Sequence, residues 1–241
     1  HTGRGPPSGA VYRTPVADTR WGQQAPQPFK REASPMSSPL HASHYADSAL
    51  QQTVTLLENV RLARDTYRLR FQSPEMARRG LPGQFFLPRL PGVNDPLIGR
   101  AFALYDTVCG QGGEPTGIDI VYLAKGKFTT RLVHCPAGES IVVWGPLGNG
   151  FPPSPVRHLI MVAGGIGQTP FVALAQQYLG HKRFGSSPCD LDRSDKVTLC
   201  YGARTADLLA GVEDFRRIGV DVRLSTEDGS CGHRGLVTEI L

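Results

Sequence analysis

The chain has 241 residues, of which 40% are hydrophobic and 20% charged, so it can bury one substantial core or two modest ones. Its formal net charge is +5, with 26 Lys and Arg against 21 Asp and Glu. The basic residues are scattered instead of forming the stripe of a nucleic-acid-binding surface, which excludes a nucleic-acid reader and favours a small anionic ligand such as a dinucleotide.

The five cysteines indicate a reducing compartment. Their number is odd, they lie at least eleven residues apart and they include no C-x-x-C pair. Neither a disulfide framework nor a zinc site is therefore expected. No stretch approaches the roughly 18 consecutive apolar residues of a membrane span, and the N-terminus has no signal-peptide core. We therefore expect a cytoplasmic protein with no membrane segment and no protein-bound metal.

Residues 1–48 are crowded with Pro, Ser, Gly and Gln, lack hydrophobic periodicity and do not begin with Met. Such a composition predicts a disordered tail. A processed leader and an artefact of the gene start are the alternatives, and none of the three assigns chemistry to the segment.

Short apolar runs separated by turn residues follow. Strands of this length and spacing predict a small antiparallel β-barrel domain over residues 49–153. The runs are residues 53–57, 66–71, 84–87, 102–105, 117–123 and 140–144.

The pattern of apolar residues changes near Arg157, from where predicted strands alternate with predicted helices. This alternation predicts a doubly wound parallel sheet over residues 154–241. We expect a fully buried strand at 158–163, a helix at 170–179, a surface loop at 181–195, a strand at 197–201, a helix at 206–218 and a strand at 221–225.

A glycine turn, Gly164-Gly-Ile-Gly-Gln-Thr-Pro170, joins the first of these strands to the first helix. Glycine lets the backbone approach a diphosphate and adopt positive φ, and the start of a helix offers unpaired N–H groups to an anion. Pro170 suits the first helical turn, where its missing donor costs nothing. The spacing is not the usual G-x-G-x-x-G fingerprint, and tight packing between strand and helix would also require glycine.

This turn resembles the G-G-x-G-x-x-P turn of the ferredoxin reductase superfamily, which meets the pyridine nucleotide in that family. The segment Leu199-Cys-Tyr-Gly-Ala-Arg204 is similar to the second nucleotide strand of the family. The segment from Ser225 to Thr238 resembles a T-x-D-G-S-x-G-x-x-G-x-V-T stretch of dihydroorotate dehydrogenase electron-transfer subunits. The resemblance implies that the residues contacting NAD(H) are Gly164, Gly165, Gly167, Gln168, Thr169, Pro170, Asp228 and Gly229.

The first half of the chain resembles the flavin-binding barrel of the same superfamily. Gly99-Arg-Ala-Phe-Ala-Leu-Tyr-Asp106 is similar to its R-x-[YF]-[ST] strand, and Val121 to Leu132 is similar to its G-x-x-[ST]-x-x-L helix start. Gly145-Pro-Leu-Gly-Asn-Gly-Phe151 resembles the junction between the two domains. The resemblance implies that FAD is bound by Arg100, Phe102, Ala103, Leu104, Tyr122, Leu123, Gly126, Thr129 and Thr130.

The resemblance also suggests individual roles. Arg100 would pair with the flavin diphosphate, although a lone Arg is otherwise a surface charge. Thr129 or Thr130 would cap the helix while donating to a phosphate oxygen, although a capping Thr is often structural alone. Ala101 and Ala103 depart from the Pro and Ser of these subunits, so a side-chain hydrogen bond to flavin N5 is lost, at a cost of roughly 1 kcal/mol.

Family members continue beyond the Leu241 end of this chain with a C-G-P strand and the cysteines of a two-iron two-sulfur cluster. That cysteine motif is absent here, since four closely spaced thiolates would be needed. Truncation is the explanation that we favour, and the alternatives are a partner that supplies the segment or a short paralogue that uses flavin alone.

The function expected from the resemblance is electron transfer between FAD and NAD(H), with a catalytic dihydroorotate dehydrogenase-type subunit or another electron-transfer protein as the partner. No side chain of the chain is expected to act as a catalytic acid or base, because the cofactors carry the chemistry. The alternatives are a stand-alone or hydrogenase-linked NAD(P)H–flavin oxidoreductase and a non-catalytic regulatory paralogue, and the choice between NADH and NADPH stays open.

Overall fold

A computed structural model describes residues 49–92, 95, 98–186 and 191–241. The tail predicted at residues 1–48 lies outside the described residues. None of the helices formed by the described residues has the length and apolar character that a membrane span needs.

Six antiparallel strands close into a barrel in the order β1-β2-β5-β4-β3-β6. Two short helices lie in the connections, α1 (Pro74–Arg79) between β2 and β3 and α2 (Lys127–Leu132) between β5 and β6. The barrel predicted from the short apolar runs is therefore confirmed. The strands are β1 (Leu50–Ala63), β2 (Thr66–Gln72), β3 (Phe85–Arg89), β4 (Phe102–Cys109), β5 (Pro115–Leu123) and β6 (Ser140–Leu147).

The first strand is much longer than the predicted run at residues 53–57. Its first part, residues 50–55, pairs with β6, and its second part, residues 56–63, pairs with β2. A register shift between Leu56 and Glu58 marks the change of partner, which bends the strand around the barrel. The second part interrupts its apolar residues with Glu58, Asn59 and Arg61, so the apolar pattern alone did not reveal it.

A four-stranded parallel sheet follows, in the order β10-β9-β8-β7, and confirms the predicted parallel architecture. Its helices are α3 (Phe171–Tyr178) and α4 (Val212–Arg217), with 3₁₀ turns at Gly165–Gln168, Ala206–Leu208 and Val237–Ile240. The strands are β7 (His158–Gly164), β8 (Lys196–Ala203), β9 (Asp221–Thr226) and β10 (His233–Arg234).

The prediction that the first strand of this sheet is fully buried is wrong. Strand β7 lies at the edge of the sheet and pairs only with β8 among the described residues. Met161 and Ala163 face the core, whereas Ile160 and Val162 on the other face are 50% and 41% exposed. A continuous apolar run fits both a buried and an edge strand, because the run does not reveal the neighbours.

Two further predictions need correction. The helix expected at 206–218 is interrupted at Gly211, which has a φ of 71°, and a Cβ there would overlap the hydroxyl of Tyr105. The loop expected at 181–195 is not confined to the surface, because Phe184 is 3% exposed and packs in the barrel core. Part of that loop, residues 187–190, lies outside the described residues.

The barrel and the sheet share side chains and lie within one compact unit. Tyr105 and Val121 come from barrel strands but pack in the core of the sheet. The Tyr105 hydroxyl donates to Asp214 Oδ2 at 2.7 Å, and Lys182 Nζ forms an ion pair with Asp106 at 2.6 Å. The boundary predicted between residues 153 and 154 lies in the connection from β6 to β7 and stays a prediction.

Candidate functional site

The glycine turn after β7 opens onto empty space. Gly165 has a φ of 54°, a left-handed conformation that favours glycine. A Cβ added at Gly164, Gly165 or Gly167 would meet nothing within 4 Å. Packing between the strand and the helix therefore does not require these glycines. The left-handed backbone favours glycine at Gly165, and the open space at all three positions would allow close approach of a ligand. Helix α3 begins just after the turn, with Pro170 at its N-cap position.

A cavity of about 800 Å³ lies at the carboxyl ends of β7, β8 and β9, where ligands bind in open α/β sheets. Gly164, Gly165 and Ile166 of the glycine turn form part of its wall, and Arg204 and Glu227 follow the next two strands. We call this the sheet cavity. It is also lined by Arg64, Asp65, Thr66, Leu123, Ala124 and Lys125 from the barrel and by Gly235, Leu236, Val237 and Thr238 near the C-terminus.

The barrel reaches this cavity through the turn between β1 and β2. The backbone N–H of Arg64 donates to the carbonyl of Asp207 at 2.8 Å, and the Arg64 guanidinium pairs with the Asp207 carboxylate at 3.1 Å. The turn is thereby held against the segment that follows β8. Asp65 adopts a φ of 56° in the same turn.

A second cavity of about 370 Å³ lies at the barrel, and we call it the barrel cavity. Seven of the nine residues predicted to bind flavin line it, and Ile166 and Thr169 of the glycine turn also contribute to its wall. The seven are Arg100, Phe102, Ala103, Tyr122, Leu123, Gly126 and Thr129. The sequence motifs thus converge in space, although 29 positions separate Arg100 from Thr129.

Aromatic rings form one wall of the barrel cavity. The ring of Phe102 lies 5.8 Å from that of Tyr122 and 6.3 Å from that of Phe128, centroid to centroid. These distances are typical of packed aromatic pairs. A flat apolar wall beside an exposed arginine, Arg100, suits a ligand with an aromatic ring system and an anionic tail.

Asn59 holds this wall in place, and the sequence motifs did not point to it. Its side-chain amide donates to the carbonyls of Leu132 and Cys135 at 2.7 and 3.0 Å. Its side-chain oxygen accepts from the Tyr122 hydroxyl at 3.0 Å. Burial raises the pKa of Tyr122 above its ordinary value, so its hydroxyl stays a donor in this bond.

The predicted cap of helix α2 is wrong. Gly126, with a φ of 107°, occupies the N-cap position and provides no side chain. Thr129 is instead buried within the first turn, where its hydroxyl accepts from the backbone N–H of Lys125 at 2.8 Å and donates to the Gly126 carbonyl at 3.3 Å. Its side chain thus orders the loop before the helix, and a role toward phosphate stays a prediction.

Two predicted flavin residues lie away from the barrel cavity. The side chain of Leu104 is fully buried in the barrel core, because alternate residues of β4 point inward. Thr130 is exposed on α2. Neither residue lines the cavity, and their role in flavin binding stays a prediction.

Of the predicted nucleotide residues, Gly164 and Gly165 line the sheet cavity and Thr169 the barrel cavity. Gln168 is fully buried, and neither polar atom of its amide has a hydrogen-bond partner among the described residues. Asp228 accepts from the N–H and the hydroxyl of Ser230 at 3.0 and 2.6 Å in an exposed turn. Gly167, Gln168, Pro170, Asp228 and Gly229 line neither cavity, and their roles stay predictions.

Several cavity residues were missed at the level of sequence. Arg64, Asp65 and Thr66 lie in a hairpin turn whose sequence resembles any other turn, and only the packing of barrel against sheet brings them to the cavity. Lys125 directly precedes Gly126, which was predicted to bind FAD, so its position beside this motif could have indicated that it lies near the site. The GLVT stretch ending at Thr238 was part of the resemblance and proves to line the cavity.

The two cavities adjoin. Leu123, Lys125 and Ile166 line both of them, so ligands in the two cavities would be direct neighbours. Within the described part of the chain, no group of three or more His, Cys, Asp and Glu residues could hold a metal ion. The arrangement suits two organic ligands, one with a flat ring against the barrel and one at the glycine turn.

This fold is that of ferredoxin reductase-type flavoproteins. The structure of an NADH-dependent reduced ferredoxin-NADP oxidoreductase, studied for flavin-based electron bifurcation, aligns with a TM-score of 0.63 and 26% identity over 78% of this chain and 62% of that chain. The ferredoxin reductase in carbazole 1,9a-dioxygenase has the same TM-score of 0.63 over 80% of this chain and 56% of that one. Its 19% identity supports the fold alone.

The chain belongs to the family of dihydroorotate dehydrogenase B (NAD(+)) electron transfer subunits. The subunit from Geobacillus kaustophilus is 31% identical over 195 residues, which cover 79% of this chain and 69% of the relative. The subunit from Desulforamulus reducens is 32% identical over 182 residues, and the chain spans 63% of its length. No protein-family model matches the sequence.

Proposed function

We propose that the chain transfers electrons between FAD and NAD(H) as the reductase subunit of a dihydroorotate dehydrogenase-type complex. The observation that carries this proposal is the pair of cavities that share Leu123, Lys125 and Ile166. Family membership supports the same function, since the relatives are named as NAD(+)-linked electron transfer subunits. A bound flavin and a bound nicotinamide would exchange a hydride between nicotinamide C4 and flavin N5.

The barrel cavity fits FAD. Phe102 would pack against the ring system, with the buried Tyr122 ring 5.8 Å from it. The exposed guanidinium of Arg100 would pair with the diphosphate. Gly126 leaves the backbone before α2 open, because a Cβ there would meet nothing within 4 Å. Ala103 provides no side-chain hydrogen bond, so only backbone groups of β4 can meet the flavin edge at this position.

The sheet cavity fits a pyridine dinucleotide. The open glycines at 164 and 165 form a cradle for the diphosphate, and the Arg204 guanidinium forms no ion pair with a described residue. Glu227 at the end of the next strand lines the same cavity, and its carboxylate can accept hydrogen bonds from ribose hydroxyls. We infer NADH as the nucleotide from the name of the relatives.

A catalytic subunit of the dihydroorotate dehydrogenase type is the proposed partner. The resemblance to this family implies an iron–sulfur cluster. The described residues contain no group of cysteines that could hold one, so the proposed electron transfer involves only FAD and NAD(H). A cytoplasmic location belongs to the same proposal and is supported by the number and spacing of the cysteines, which do not indicate a disulfide framework.

A non-catalytic regulatory subunit is the second candidate function. The observation that favours it is Ala103, which lines the barrel cavity but has no hydroxyl to contact a flavin. The two functions differ in one measurable property. A regulatory subunit would bind nucleotides without electron transfer between them.

The test is a visible spectrum of the protein saturated with FAD, before and after anaerobic addition of NADH. Electron transfer requires flavin absorption bands that NADH bleaches. A protein that takes up no FAD refutes the proposal, and bound flavin that NADH leaves oxidised favours the regulatory function.

Substitutions can test which cavity binds FAD and which binds NADH. Gly164→Val should leave FAD binding unchanged and weaken NADH binding by at least about tenfold, because its side chain would fill the diphosphate cradle. Gly112→Val is the matched control, since Gly112 also has open space around its Cβ position and lines neither cavity. Arg100→Ala should weaken FAD binding by about tenfold or more through loss of a charged hydrogen bond.

A further inference from the structure

Lys125 is the charged residue at the place where the two cavities meet. The other residues that line both cavities, Leu123 and Ile166, are apolar. The backbone of Lys125 is fixed, because its N–H donates to the Thr129 hydroxyl at 2.8 Å. The preceding residue, Ala124, donates its N–H to the carbonyl of Asp65 at 2.7 Å. The base of the lysine side chain is therefore held between β5, α2 and the β1–β2 turn.

The ammonium group of Lys125 forms no ion pair with a described carboxylate, and the carboxylate residues Asp65 and Glu227 line only the sheet cavity. The nearby cations differ in this respect, since Lys127 pairs with Asp95 at 2.8 Å and Arg64 pairs with Asp207 at 3.1 Å. The remaining arginines of the site line one cavity each and do not reach the junction. Lys125 thus places a positive charge with no ion-pair partner among the described residues at the junction of the two cavities.

We propose that Lys125 favours the electron-rich state of both cofactors, namely the reduced flavin and the dihydronicotinamide. This inference rests on the function proposed above. Hydride transfer moves one proton and two electrons from nicotinamide C4 to flavin N5. The nicotinamide ring then carries a positive charge, and the flavin carries the negative charge of its reduced form. A cation at this position would attract the reduced flavin and repel the oxidised nicotinamide, while the neutral forms would be little affected.

Two equilibrium properties report on this effect without a turnover assay. The first is the midpoint potential of the bound flavin, measured without nucleotide. The second is the ratio of the dissociation constants of NAD⁺ and NADH, measured on the FAD-loaded protein. Lys125→Met should lower the equilibrium constant for reduction of the bound flavin by about fivefold, which is equivalent to lowering its two-electron midpoint potential by about 20 mV. It should lower the NAD⁺-to-NADH ratio by about the same factor.

Three further variants sharpen the test. Lys125→Arg should keep wild-type values because it keeps the charge, and Lys125→Glu should shift both properties further than Lys125→Met. Lys127→Met removes a cation that Asp95 already compensates and that lines the barrel cavity alone, so the NAD⁺-to-NADH ratio should stay constant. The Lys125 effects should shrink at high ionic strength, because Lys125 is exposed and exposed charges are screened.

The inference is overturned if Lys125→Met shifts both properties by less than twofold, or if Lys127→Met shifts the nucleotide ratio equally. Failure of the proposed function gives a different result. In that case the wild-type protein itself takes up no FAD or shows no bleaching by NADH. A wild-type protein that passes this test, together with an unshifted Lys125→Met variant, overturns the role of Lys125 alone.

Discussion

Replacing Tyr105 by Phe should measurably weaken the attachment of the barrel to the sheet. The Tyr105 hydroxyl is buried and donates to Asp214 Oδ2 at 2.7 Å, so the bond joins β4 of the barrel to α4. Phe keeps the ring and its packing in the core, and only the hydroxyl is lost. The change therefore isolates one hydrogen bond between the two parts of the fold.

The expected loss is about 1.5 kcal/mol of unfolding free energy, at the lower end of the range for hydrogen bonds to charged groups. The lower end applies because the Asp214 side chain is 17% exposed and also pairs with Arg217 at 3.0 Å, so it is not left unsatisfied. For a folded unit of this size, 1.5 kcal/mol corresponds to a fall in Tm of about 3–6 °C.

Thermal unfolding and urea titration measure this loss. Tyr178→Phe is the matched control, because its hydroxyl accepts a longer, neutral bond from the N–H of Ser154 at 3.2 Å, whose loss costs about 0.5–1 kcal/mol. If Tyr105→Phe is no less stable than Tyr178→Phe, the bond to Asp214 does not join the two parts as described.

The same bond gives a pH dependence. Burial raises the pKa of Tyr105 well above its ordinary value of about 10, so the folded protein keeps the proton that the unfolded chain loses. The contribution of Tyr105 to stability is complete below pH 10 and decreases as the pH rises above it. Wild type should therefore lose stability more steeply than Tyr105→Phe in this range.

Three other predictions concern the barrel. Asn59→Ala should cost about 2–3 kcal/mol in urea unfolding, because three hydrogen-bonding groups lose their partner, and a cost under 1 kcal/mol would contradict this role. Phe184→Ala should cost about 3 kcal/mol by creating a cavity in the core, whereas an unchanged urea midpoint would place this side chain at the surface. Burial raises the pKa of the Cys135 thiol to about 11 and leaves the residue 9% exposed. In a Cys189→Ser background at pH 8, its alkylation should therefore be at least about tenfold slower than that of exposed Cys109, and equal rates would refute this.

The barrel and the parallel sheet were predictable because their apolar runs are short, regularly spaced and bounded by turn residues. The edge position of β7 was not, since the sequence of a strand does not reveal how many neighbours it has. The break at Gly211 had a signal in the glycine itself, but the steric reason lies in Tyr105, which is 106 positions away in the sequence. Contacts between distant segments decided each of these features.

The candidate site was predictable where a motif and its resemblance coincided. Arg100, Phe102 and part of the glycine turn line the two cavities, and their roles in binding cofactors stay predictions. The exact role of Thr129 was not predictable, because a hydroxyl in a first helical turn can bond to the backbone as readily as to a ligand. Asn59 was missed because it acts through Tyr122 and lies in a strand without any motif.

The packing of Tyr105 and Val121 among the side chains of the sheet bears on how the chain can be divided and how it unfolds. A fragment ending at residue 153 would expose both side chains, and the remaining fragment would lose two members of its core. The barrel and the sheet should therefore melt in a single cooperative transition, and calorimetric and van't Hoff enthalpies should agree. Chimeras that exchange the barrel between relatives would have to carry matching residues at these two positions.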